Sequence, residues 1–394
     1  MISYIRELGR YFTFESDKSK PIYNWFYYKE AYSSEFVEQI LDKFGMRNGN
    51  ILDPFCGIGT TCLVAKSRGL HAFGVDCSQL AVFIGKVKTR NYSESDISII
   101  YEFMKNIFQE KTSAKLNWKF ELFKIENAFP PANLRDILFI RQKISEIDNE
   151  KARDFALLAL ISIIPMCSFI LKDGGVLKIV KKSVAPVKEM FKRKIKRMLA
   201  DIRSENRITG SEPQIYLGDA RLLPFESEIM DAIITSPPYL NNIDYTKVYG
   251  LELSLLQLCN DFGALDLKKT RKRSIRSFIA SNIISNADEF RDELEIQYEI
   301  QSIGYKIPII RAYFSDMEKV LKESFRVLKH NGTASFVVGN SVIHGTHVFV
   351  DEIIAEIGAR IGFESEIWIG SERIANIGTA KIKTRESAVI LRKF

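Results

Sequence analysis

A glycine-bearing turn between two short apolar segments constrains the fold of this chain more than any other feature. Asn50–Leu52 is apolar and runs directly into DPFCGIGTT (53–61). Gly57 and Gly59 allow the backbone to turn tightly and to approach a ligand without a clash from Cβ. A short strand that ends in such a turn is typical of a nucleotide-binding α/β sheet.

The turn leads into a helix and then into a second strand that ends in an acid. A helical stretch continues through Ser67, Gly69 is suited to end it, and HAFGVD (71–76) reads as the next strand. Asp76 lies 23 residues after Asp53, and an acid at this position can accept hydrogen bonds from both hydroxyls of a ribose. The segment is not a P-loop, because no Gly-Lys-Ser/Thr follows, and it lacks the third glycine of the dinucleotide-binding pattern.

The remaining patterns predict a mainly parallel, three-layer α/β domain. Buried strands alternate with helical segments in the second half of the chain, and the last two strands would form a hairpin. The predicted strands are QIYLGD (214–219), DAIITSPPY (231–239), TASFVVGN (333–340), FESEIWIG (363–370) and ESAVILRKF (386–394), and the predicted helices are 311–330, closed by Asn331-Gly332, and 348–362.

A long insertion interrupts this sheet after its second strand. From Asp76 to Asp219 the chain runs for 143 residues, whereas a minimal crossover between parallel strands needs only about a dozen. We therefore predict a largely helical insertion over 91–209. Its most apolar stretch, Phe155–Leu171, is shorter than the roughly 20 apolar residues of a membrane span, so a buried helix is the favoured interpretation.

A second motif follows a buried strand, at the sheet edge where α/β proteins place their ligands. The tetrapeptide Ser236-Pro237-Pro238-Tyr239 comes directly after Thr235. Two prolines fix the backbone and remove two N–H donors, so the Pro237 carbonyl can point into a cleft as a rigid acceptor. Ser236 adds a second polar atom, and Tyr239 offers a flat face on which a base can stack. Taken alone, the tetrapeptide is equally compatible with a rigid turn that has no chemical role.

Together, the two motifs resemble motifs I and IV of the S-adenosylmethionine-dependent DNA amino-methyltransferases, whose catalytic tetrapeptide has the form (D/N/S)PP(Y/F/W). The serine version is most similar to the enzymes that make N4-methylcytosine, and the aspartate version is more usual in adenine N6 enzymes. Trp25–Glu30 resembles the family segment that closes over the methionine end of the cofactor, and Gly218–Ala220 resembles the motif whose acid contacts the adenine. Gly339–Ser341 and Arg385–Ser387 are similar to later family elements.

The resemblance implies a doubly wound, mainly parallel, seven-stranded Rossmann-like methyltransferase sheet, with S-adenosylmethionine as cofactor and double-stranded DNA as substrate. It implies methyl transfer to the exocyclic N4 of cytosine, without a metal ion or a covalent enzyme adduct, in a restriction–modification system with a cognate endonuclease. The catalytic residues that it implies are Ser236, Pro237, Pro238 and Tyr239, and the cofactor-binding residues are Trp25, Lys29, Asp53, Pro54, Phe55, Gly57, Gly59, Thr60, Asp76, Asp219 and Ala220.

Two basic runs are candidates for contacts with DNA phosphates, in a chain whose net charge is +7. The first run contains Lys188, Lys192, Arg193 and Lys196 beside an apolar helical stripe, and the second contains Lys269, Arg271 and Arg273. A solvated helix face is the simpler interpretation of a charge run on its own, but the two motifs favour DNA contact by at least one run. We therefore predict methyltransferase segments over 1–90 and 210–394, target recognition in the insertion 91–209, and a rival basic insertion over 261–310.

Cysteine and histidine content indicates the cellular setting. The five cysteines form no Cys-x-x-Cys pair and the chain has only four histidines, so no structural zinc site is expected. Free thiols favour a reducing cytoplasm. The first twenty residues show no apolar core of a signal peptide, so we expect a cytoplasmic protein without a membrane segment.

Three alternatives stay open. An adenine N6 product is possible for the same cleft, because both amines fit similar acceptors. An RNA methyltransferase that acts on the exocyclic amine of guanine uses a related Asn-Pro-Pro-Tyr or Asp-Pro-Pro-Tyr motif. A non-catalytic DNA-recognition subunit could keep the fold, but such a subunit has no need for both halves of the site.

Overall fold

A central eight-stranded sheet organises the part of the chain that the computed structural model describes. That part comprises residues 1–109, 112–173, 175–204, 208, 210–241, 243–258, 274–277, 308–343, 346–377 and 380–394. The strands are β1 (Ile2–Tyr4), β2 (Asn50–Asp53), β3 (His71–Asp76), β4 (Ile170–Asp173), β5 (Val176–Ile179), β6 (Gln214–Leu217), β7 (Met230–Thr235), β8 (Leu328–Gly339), β9 (Ser341–Ile343), β10 (Thr346–Val348), β11 (Phe363–Ile377) and β12 (Ala380–Lys393). The helices are α1 (Ser34–Lys43), α2 (Thr60–Ser67), α3 (Gln79–Thr89), α4 (Glu94–Asn106), α5 (Ile125–Ala128), α6 (Pro131–Ser145), α7 (Glu150–Cys167), α8 (Val187–Arg203), α9 (Tyr245–Val248), α10 (Gly250–Gln257), α11 (Pro308–Val327) and α12 (Val350–Ile361).

The strand order confirms the predicted doubly wound architecture. Across the sheet the order is β6-β3-β2-β7-β8-β12-β11-β1, while β4–β5 and β9–β10 form separate two-stranded sheets. The strands from β6 to β8 are parallel, and β12 is antiparallel to both of its neighbours. The seven predicted strands gain an edge strand, because β1 pairs in parallel with β11. Three residues are too short to show a strand pattern in a sequence.

Alternate side chains of the central strands face two different cores. Ile51 and Ile234 belong to a core built with the first helices of the chain, whereas Leu52 and Ile233 belong to a core built with α11 and α12. Successive side chains of a strand point to opposite faces of its sheet. Because helices cover both faces, the parallel strands are apolar along their whole length, as the short apolar runs in the sequence indicated.

The sheet reverses its winding between β2 and β7. From β2 the chain proceeds to β3 and β6 on one side, and it then returns to β7 on the other side of β2. The last residues of these neighbouring strands, Asp53 and Thr235, therefore lie at a topological switch point. Sheets of this kind bind their ligands in the crevice outside that point.

The insertion over 91–209 is largely helical, with α4 to α8 and the β4–β5 hairpin. Helix α7 covers most of the apolar stretch Phe155–Leu171, is buried along most of its length, and contacts α3 and α10, while α8 packs on α7. The buried side chains of α7 belong to the same core as Ile51 and Ile234. The insertion therefore thickens the helical layer on one face of the sheet.

No helix within the described residues combines the length and the apolarity that crossing a membrane requires.

Two predicted boundaries are wrong, both for reasons of pairing. The helix predicted over 311–330 ends at Val327, because Leu328 pairs with Met230 and begins β8. Asn331, with a φ of 63°, lies inside that strand and does not close the helix. The final hairpin is longer than predicted, since β11 and β12 pair along nearly their full lengths. Local sequence patterns do not reveal where a strand finds its partner.

Candidate active site

A cavity of about 400 Å³ lies at the carboxyl ends of β2, β3 and β7. The glycine turn contributes Gly57 to its wall, and the diproline corner contributes Pro237. Two further segments complete the wall, 28–32 before α1 and residues of 243–249 around α9. The two sequence motifs therefore share one cleft at the switch point of the sheet.

The buried side chain of Asp53 connects the glycine turn and the diproline corner by hydrogen bonds. The side chain is 2% exposed, and its Oδ1 accepts hydrogen bonds from Thr235 Oγ1 at 2.6 Å and from the Phe55 N–H at 3.1 Å. Its Oδ2 accepts a hydrogen bond from the Tyr32 hydroxyl at 2.9 Å. Burial raises the pKa of Asp53, and the hydrogen bonds from Thr235 and Tyr32 oppose that rise. With both oxygens engaged, Asp53 connects β2, β7 and the segment before α1.

Tyr32 extends this network to the first helix after the turn. Its hydroxyl is hydrogen-bonded to Thr61 in the first turn of α2, and it lies 3.3 Å from the carbonyl oxygen of Ile234. Thr61 Oγ1 is also within 3.3 Å of that carbonyl oxygen. Nothing in the sequence singled out Tyr32, because it lies 21 residues before its partner Asp53 and outside both motifs.

The two glycines of the turn have different tasks. Gly57 has a φ of 48° and lines the cavity, and its N–H donates a hydrogen bond to Asp76 Oδ2 at 2.9 Å. Gly59 has a φ of 81° and does not line the cavity. A Cβ on Gly59 would lie 3.1 Å from the Cα of Gly85 in α3. Gly59 therefore allows α2 and α3 to pack closely behind the turn, and its contact with a cofactor stays a prediction.

Asp76 offers a carboxylate to the cavity. Its Oδ1 accepts a hydrogen bond from the Ser78 N–H at 2.8 Å, and its Oδ2 accepts the one from Gly57. Burial raises the pKa of Asp76 to about 6, and the two backbone N–H groups oppose that rise. The group is therefore ionised at neutral pH and becomes neutral in mild acid.

The diproline corner presents two oxygen acceptors. The Ser236 hydroxyl donates its hydrogen to the Val337 carbonyl at 3.1 Å, so the lone pairs of Ser236 Oγ are left to accept. The Pro237 carbonyl accepts no hydrogen bond from the described part of the chain. Ser236, Pro237, Pro238 and Tyr239 all line the cavity.

Tyr239 is held in place by a carboxylate and a glycine. Its hydroxyl donates a hydrogen bond to Glu386 Oε1 at 3.2 Å, and burial, followed by the charge of Glu386, raises the pKa of Tyr239 well above its usual value. Glu386 is buried and also accepts a hydrogen bond from Ser371 at 3.3 Å. A Cβ on Gly339 would lie 3.0 Å from two ring carbons of Tyr239, so a side chain there would require the ring to shift. Glu386 was named in the sequence only as part of a family element, without a role.

A stacked pair of tyrosines forms the wall between the segment before α1 and α9. The rings of Tyr28 and Tyr249 are 4.5 Å apart and nearly parallel. The Tyr249 hydroxyl donates a hydrogen bond to Glu30 Oε2 at 2.6 Å. These residues belong to strongly separated parts of the sequence, so their pairing carried no signal there.

Most of the sequence-predicted cofactor residues line the cavity, and Trp25 does not. The residues that line it are Lys29, Asp53, Pro54, Phe55, Gly57, Thr60, Asp76, Asp219 and Ala220. Trp25 is fully buried, and its Nε1 donates a hydrogen bond to Asp201 of α8 at 2.8 Å. Its ring packs against Phe155 of α7. The expectation that Trp25 contacts a cofactor is therefore corrected: it docks the N-terminal segment onto the helical insertion.

Asp219 is held at the cavity by an arginine. Arg221 Nε lies 3.0 Å from Asp219 Oδ1, and Arg221 Nη2 lies 2.7 Å from Asp219 Oδ2. Arg221 also binds the buried Asp316 of α11 at 3.0 Å, and Arg276 binds the same carboxylate at 2.7 Å. These alternating charges link Asp219 at the cavity to Asp316 of α11 and fix the orientation of the Asp219 side chain.

The first basic run lies on α8 and away from the cavity. Lys192, Arg193 and Lys196 are exposed, whereas Lys188 is half-buried and donates a hydrogen bond to Thr112 Oγ1 at 2.8 Å. None of these four side chains lines the cavity. The second run, with Lys269, Arg271 and Arg273, lies outside the described residues.

Comparison with known proteins gives consistent matches. A sequence model of the family described as DNA methylase matches residues 7–86. The type II methyltransferase M.AvaI of Nostoc sp. (strain PCC 7120) is 31% identical over 404 residues, which cover 90% of this chain and 81% of the relative. M.BsoBI of Geobacillus stearothermophilus is 27% identical over 89% of this chain and 80% of the relative. M.MvaI of Kocuria varians is 20% identical over 82% of this chain and 77% of the relative.

We expect Thr235→Val to lower the free energy of unfolding by about 1–3 kcal/mol, because it removes one of the two donors, and the shorter hydrogen bond, at a buried oxygen of Asp53. The shape of the side chain hardly changes, so the loss reports the hydrogen bond. Denaturant-induced unfolding measures it. Thr60→Val is the matched control, since Thr60 Oγ1 is also buried but has no hydrogen-bond partner. Equal losses in the two variants would contradict the role of the Asp53 network.

Proposed function

Since this chain belongs to the family of type II DNA amino-methyltransferases, we propose that it transfers a methyl group from S-adenosylmethionine to the exocyclic N4 of cytosine in double-stranded DNA. The observation that supports this reaction most directly is the pair of oxygen acceptors at Ser236 and Pro237, placed in the same cavity as Gly57 and Asp76. Serine at the first position of the tetrapeptide, as in enzymes that make N4-methylcytosine, favours cytosine over adenine.

The cofactor of this family is S-adenosylmethionine, and the residues of the cavity fit it. Asp76 provides acceptors for the two ribose hydroxyls. Thr60 Oγ1 is buried, lines the cavity without a hydrogen-bond partner, and lies in the first turn of α2, where N–H groups favour an anion such as the methionine carboxylate. Asp219 and Ala220 lie on the same wall for the adenine. The cofactor supplies an electrophilic methyl carbon.

The exocyclic amine of the target base reacts poorly, and the diproline corner activates it. The lone pair of an exocyclic amine is delocalised into the ring, so the nitrogen is a poor nucleophile. Ser236 Oγ and the Pro237 carbonyl accept its two N–H groups and draw the nitrogen toward tetrahedral geometry. Ser236 Oγ serves as an acceptor when its own hydrogen is donated to the Val337 carbonyl. Fixed dipoles of this kind need no reorganisation during the reaction. The rest of the rate acceleration comes from holding both reactants in one cleft.

The target base must leave the duplex stack to enter the cavity. Tyr239 lies where the base would enter between the diproline corner and Glu386, and its ring provides a stacking surface worth about 1–3 kcal/mol per base. The hydrogen bond from its hydroxyl to Glu386 keeps the ring in one orientation. We also propose a partner protein in a restriction–modification system, namely a cognate restriction endonuclease that recognises the same DNA sequence.

Expression of the chain, digestion of total nucleic acid to nucleosides, and mass spectrometry test the proposal. We expect N4-methylcytosine in DNA, and modified-base sequencing would then give the recognition site. N6-methyladenine in place of N4-methylcytosine would refute the choice of base. A methylated guanine found only in RNA would refute DNA as substrate, and no methylation by a protein that still binds the cofactor would indicate the non-catalytic subunit.

We expect Tyr239→Ala to lower kcat by about tenfold to a hundredfold, which corresponds to the loss of base stacking, and to leave cofactor affinity nearly unchanged. Single-turnover methylation and calorimetric titration of S-adenosylmethionine measure the two quantities. Tyr239→Phe is the matched control, because it keeps the ring and loses only the hydrogen bond to Glu386. Equal losses of rate and of cofactor affinity in Tyr239→Ala would contradict this role.

Cofactor affinity should depend on the ionisation of Asp76. The pKa of Asp76 is about 6 in the free protein, and the ionised form is the better acceptor for ribose hydroxyls. Affinity should therefore be constant above about pH 7 and fall by roughly tenfold per pH unit below about pH 6. Calorimetric titration across this range measures it. Asp76→Asn should bind weakly at all these pH values, and an unchanged acid decline in that variant would assign the titration to another group.

A further inference from the structure

One face of the β4–β5 hairpin contacts the protein through Ile170 and Lys172, although Ile179 on the same face is 39% exposed, and the other face is open to solvent. Residues that pair across an antiparallel hairpin share a face, and the faces alternate along each strand. On the inner face, Ile170 is buried, and Lys172 Nζ lies 3.9 Å from the ring centre of Tyr249 and 2.7 Å from the buried carboxylate of Glu252. These contacts hold the hairpin against α9 and α10.

The outer face combines apolar side chains with a lysine. Leu171 pairs with Lys178, and Asp173 pairs with Val176. Leu171 is 45% exposed, Val176 is 57% exposed, and Val180, which continues the strand, is 43% exposed. A two-stranded hairpin gains no stability from apolar groups left in water, and these neighbouring side chains make the surface a candidate for binding a partner. We refer to Leu171, Val176, Lys178 and Val180 as the outer face.

The hairpin lies next to residues that line the active-site cavity. A Cβ on Gly175, at the hairpin turn, would lie 3.7 Å from the Cα of Ile243. Ile243 and Tyr249 both line the cavity and both contact the hairpin. The hairpin is therefore adjacent to two residues of the cavity wall.

The charge of the hairpin suits a polyanion. Residues 172–182 contain four lysines and one acid, Asp173. Lys178 forms an ion pair with Asp173 at 2.6 Å, but both side chains are more than half exposed. Exposed ion pairs of this kind contribute little free energy, so Lys178 can leave Asp173 for another anion. Lys181 is exposed and has no partner among the described residues. By contrast, the lysines of α8 lie on a helix that packs on α7, one layer further from the sheet.

We propose that the outer face of the β4–β5 hairpin binds duplex DNA directly beside the extruded base. The proposal rests on the proposed function and specifies how this chain holds its substrate. A two-stranded β-ribbon fits the width of the major groove. Lys178 and Lys181 contact phosphates, and Val176 at the tip contacts base edges next to the gap that the extruded base leaves. DNA contact by the insertion 91–209 then falls on the hairpin and not on α8.

The salt dependence of binding to a duplex of mixed sequence tests the phosphate contacts. For the double variant Lys178→Gln/Lys181→Gln we expect the salt slope to fall in magnitude by about two, one for each contact, with cofactor affinity unchanged as the check of folding. Lys319→Gln/Lys322→Gln on α11, across the sheet, is the matched control and should keep the slope. Loss of slope in Lys192→Gln/Lys196→Gln on α8, with none in the hairpin variant, would overturn the proposal.

A second variant tests the apolar tip. For Val176→Ser we expect a smaller rise in fluorescence of 2-aminopurine placed at the target position, because the gap in the duplex is less well filled, while the salt slope is unchanged. An unaltered fluorescence rise would overturn the role of Val176. If the outer face instead binds a second copy of this chain, sedimentation will show a dimer that Val176→Asp dissociates, and that result also overturns the proposal.

The outcomes separate this inference from the proposed function. A wild-type chain that neither binds nor methylates DNA refutes the proposed function itself. A wild-type chain that methylates DNA, together with hairpin variants that match it in slope and fluorescence, refutes only the assignment of the hairpin.

Discussion

The hydrogen bond between Thr235 and Asp53 is the interaction on which the site depends. It joins the last residues of two neighbouring parallel strands at the switch point, at 2.6 Å and out of reach of water. One partner begins the glycine turn, and the other begins the diproline corner. A buried carboxylate is costly unless its oxygens are hydrogen-bonded, and Tyr32 supplies the second donor. The relative position of the glycine turn and the diproline corner is therefore set by the hydrogen bonds of one buried carboxyl group.

Two carboxylates at the ends of β2 and β3 have been given different tasks by their surroundings. Asp53 is enclosed, and its hydrogen bonds are made to the protein on both oxygens. Asp76 faces the cavity and is held by two backbone N–H groups, which keep it ionised at neutral pH in spite of its burial. The first fixes the frame, and the second is left to meet a ligand. Both positions follow from the same rule, that polar groups at strand ends collect at one edge of a parallel sheet.

The helical insertion contributes to the site by packing and not as a separate body. Trp25 docks onto Asp201 of α8 and Phe155 of α7, which anchors the segment that leads to Tyr28 and Tyr32. Helix α7 then packs against α3 and α10, and the β4–β5 hairpin that follows it lies beside Ile243, which lines the cavity. The insertion thus supports the segment that leads to Tyr28 and Tyr32 through Trp25, and it contacts a second part of the cavity wall through the hairpin.

The sequence by itself determined the strand–turn–helix around Gly57, the acid at Asp76 and the diproline corner, because each depends on local backbone geometry or on a period of apolar residues. The doubly wound sheet was implied by the resemblance of these motifs to the methyltransferase family. The sequence did not determine the roles of Trp25 and Gly59, the contributions of Tyr32 and Glu386, the edge strand β1, or the end of α11 at Val327. Those features depend on contacts between residues far apart in the chain, such as Tyr32 with Asp53 and Leu328 with Met230. Only the tertiary structure brings such partners together, since a hydrogen bond or a strand pairing leaves no mark on the sequence around either member.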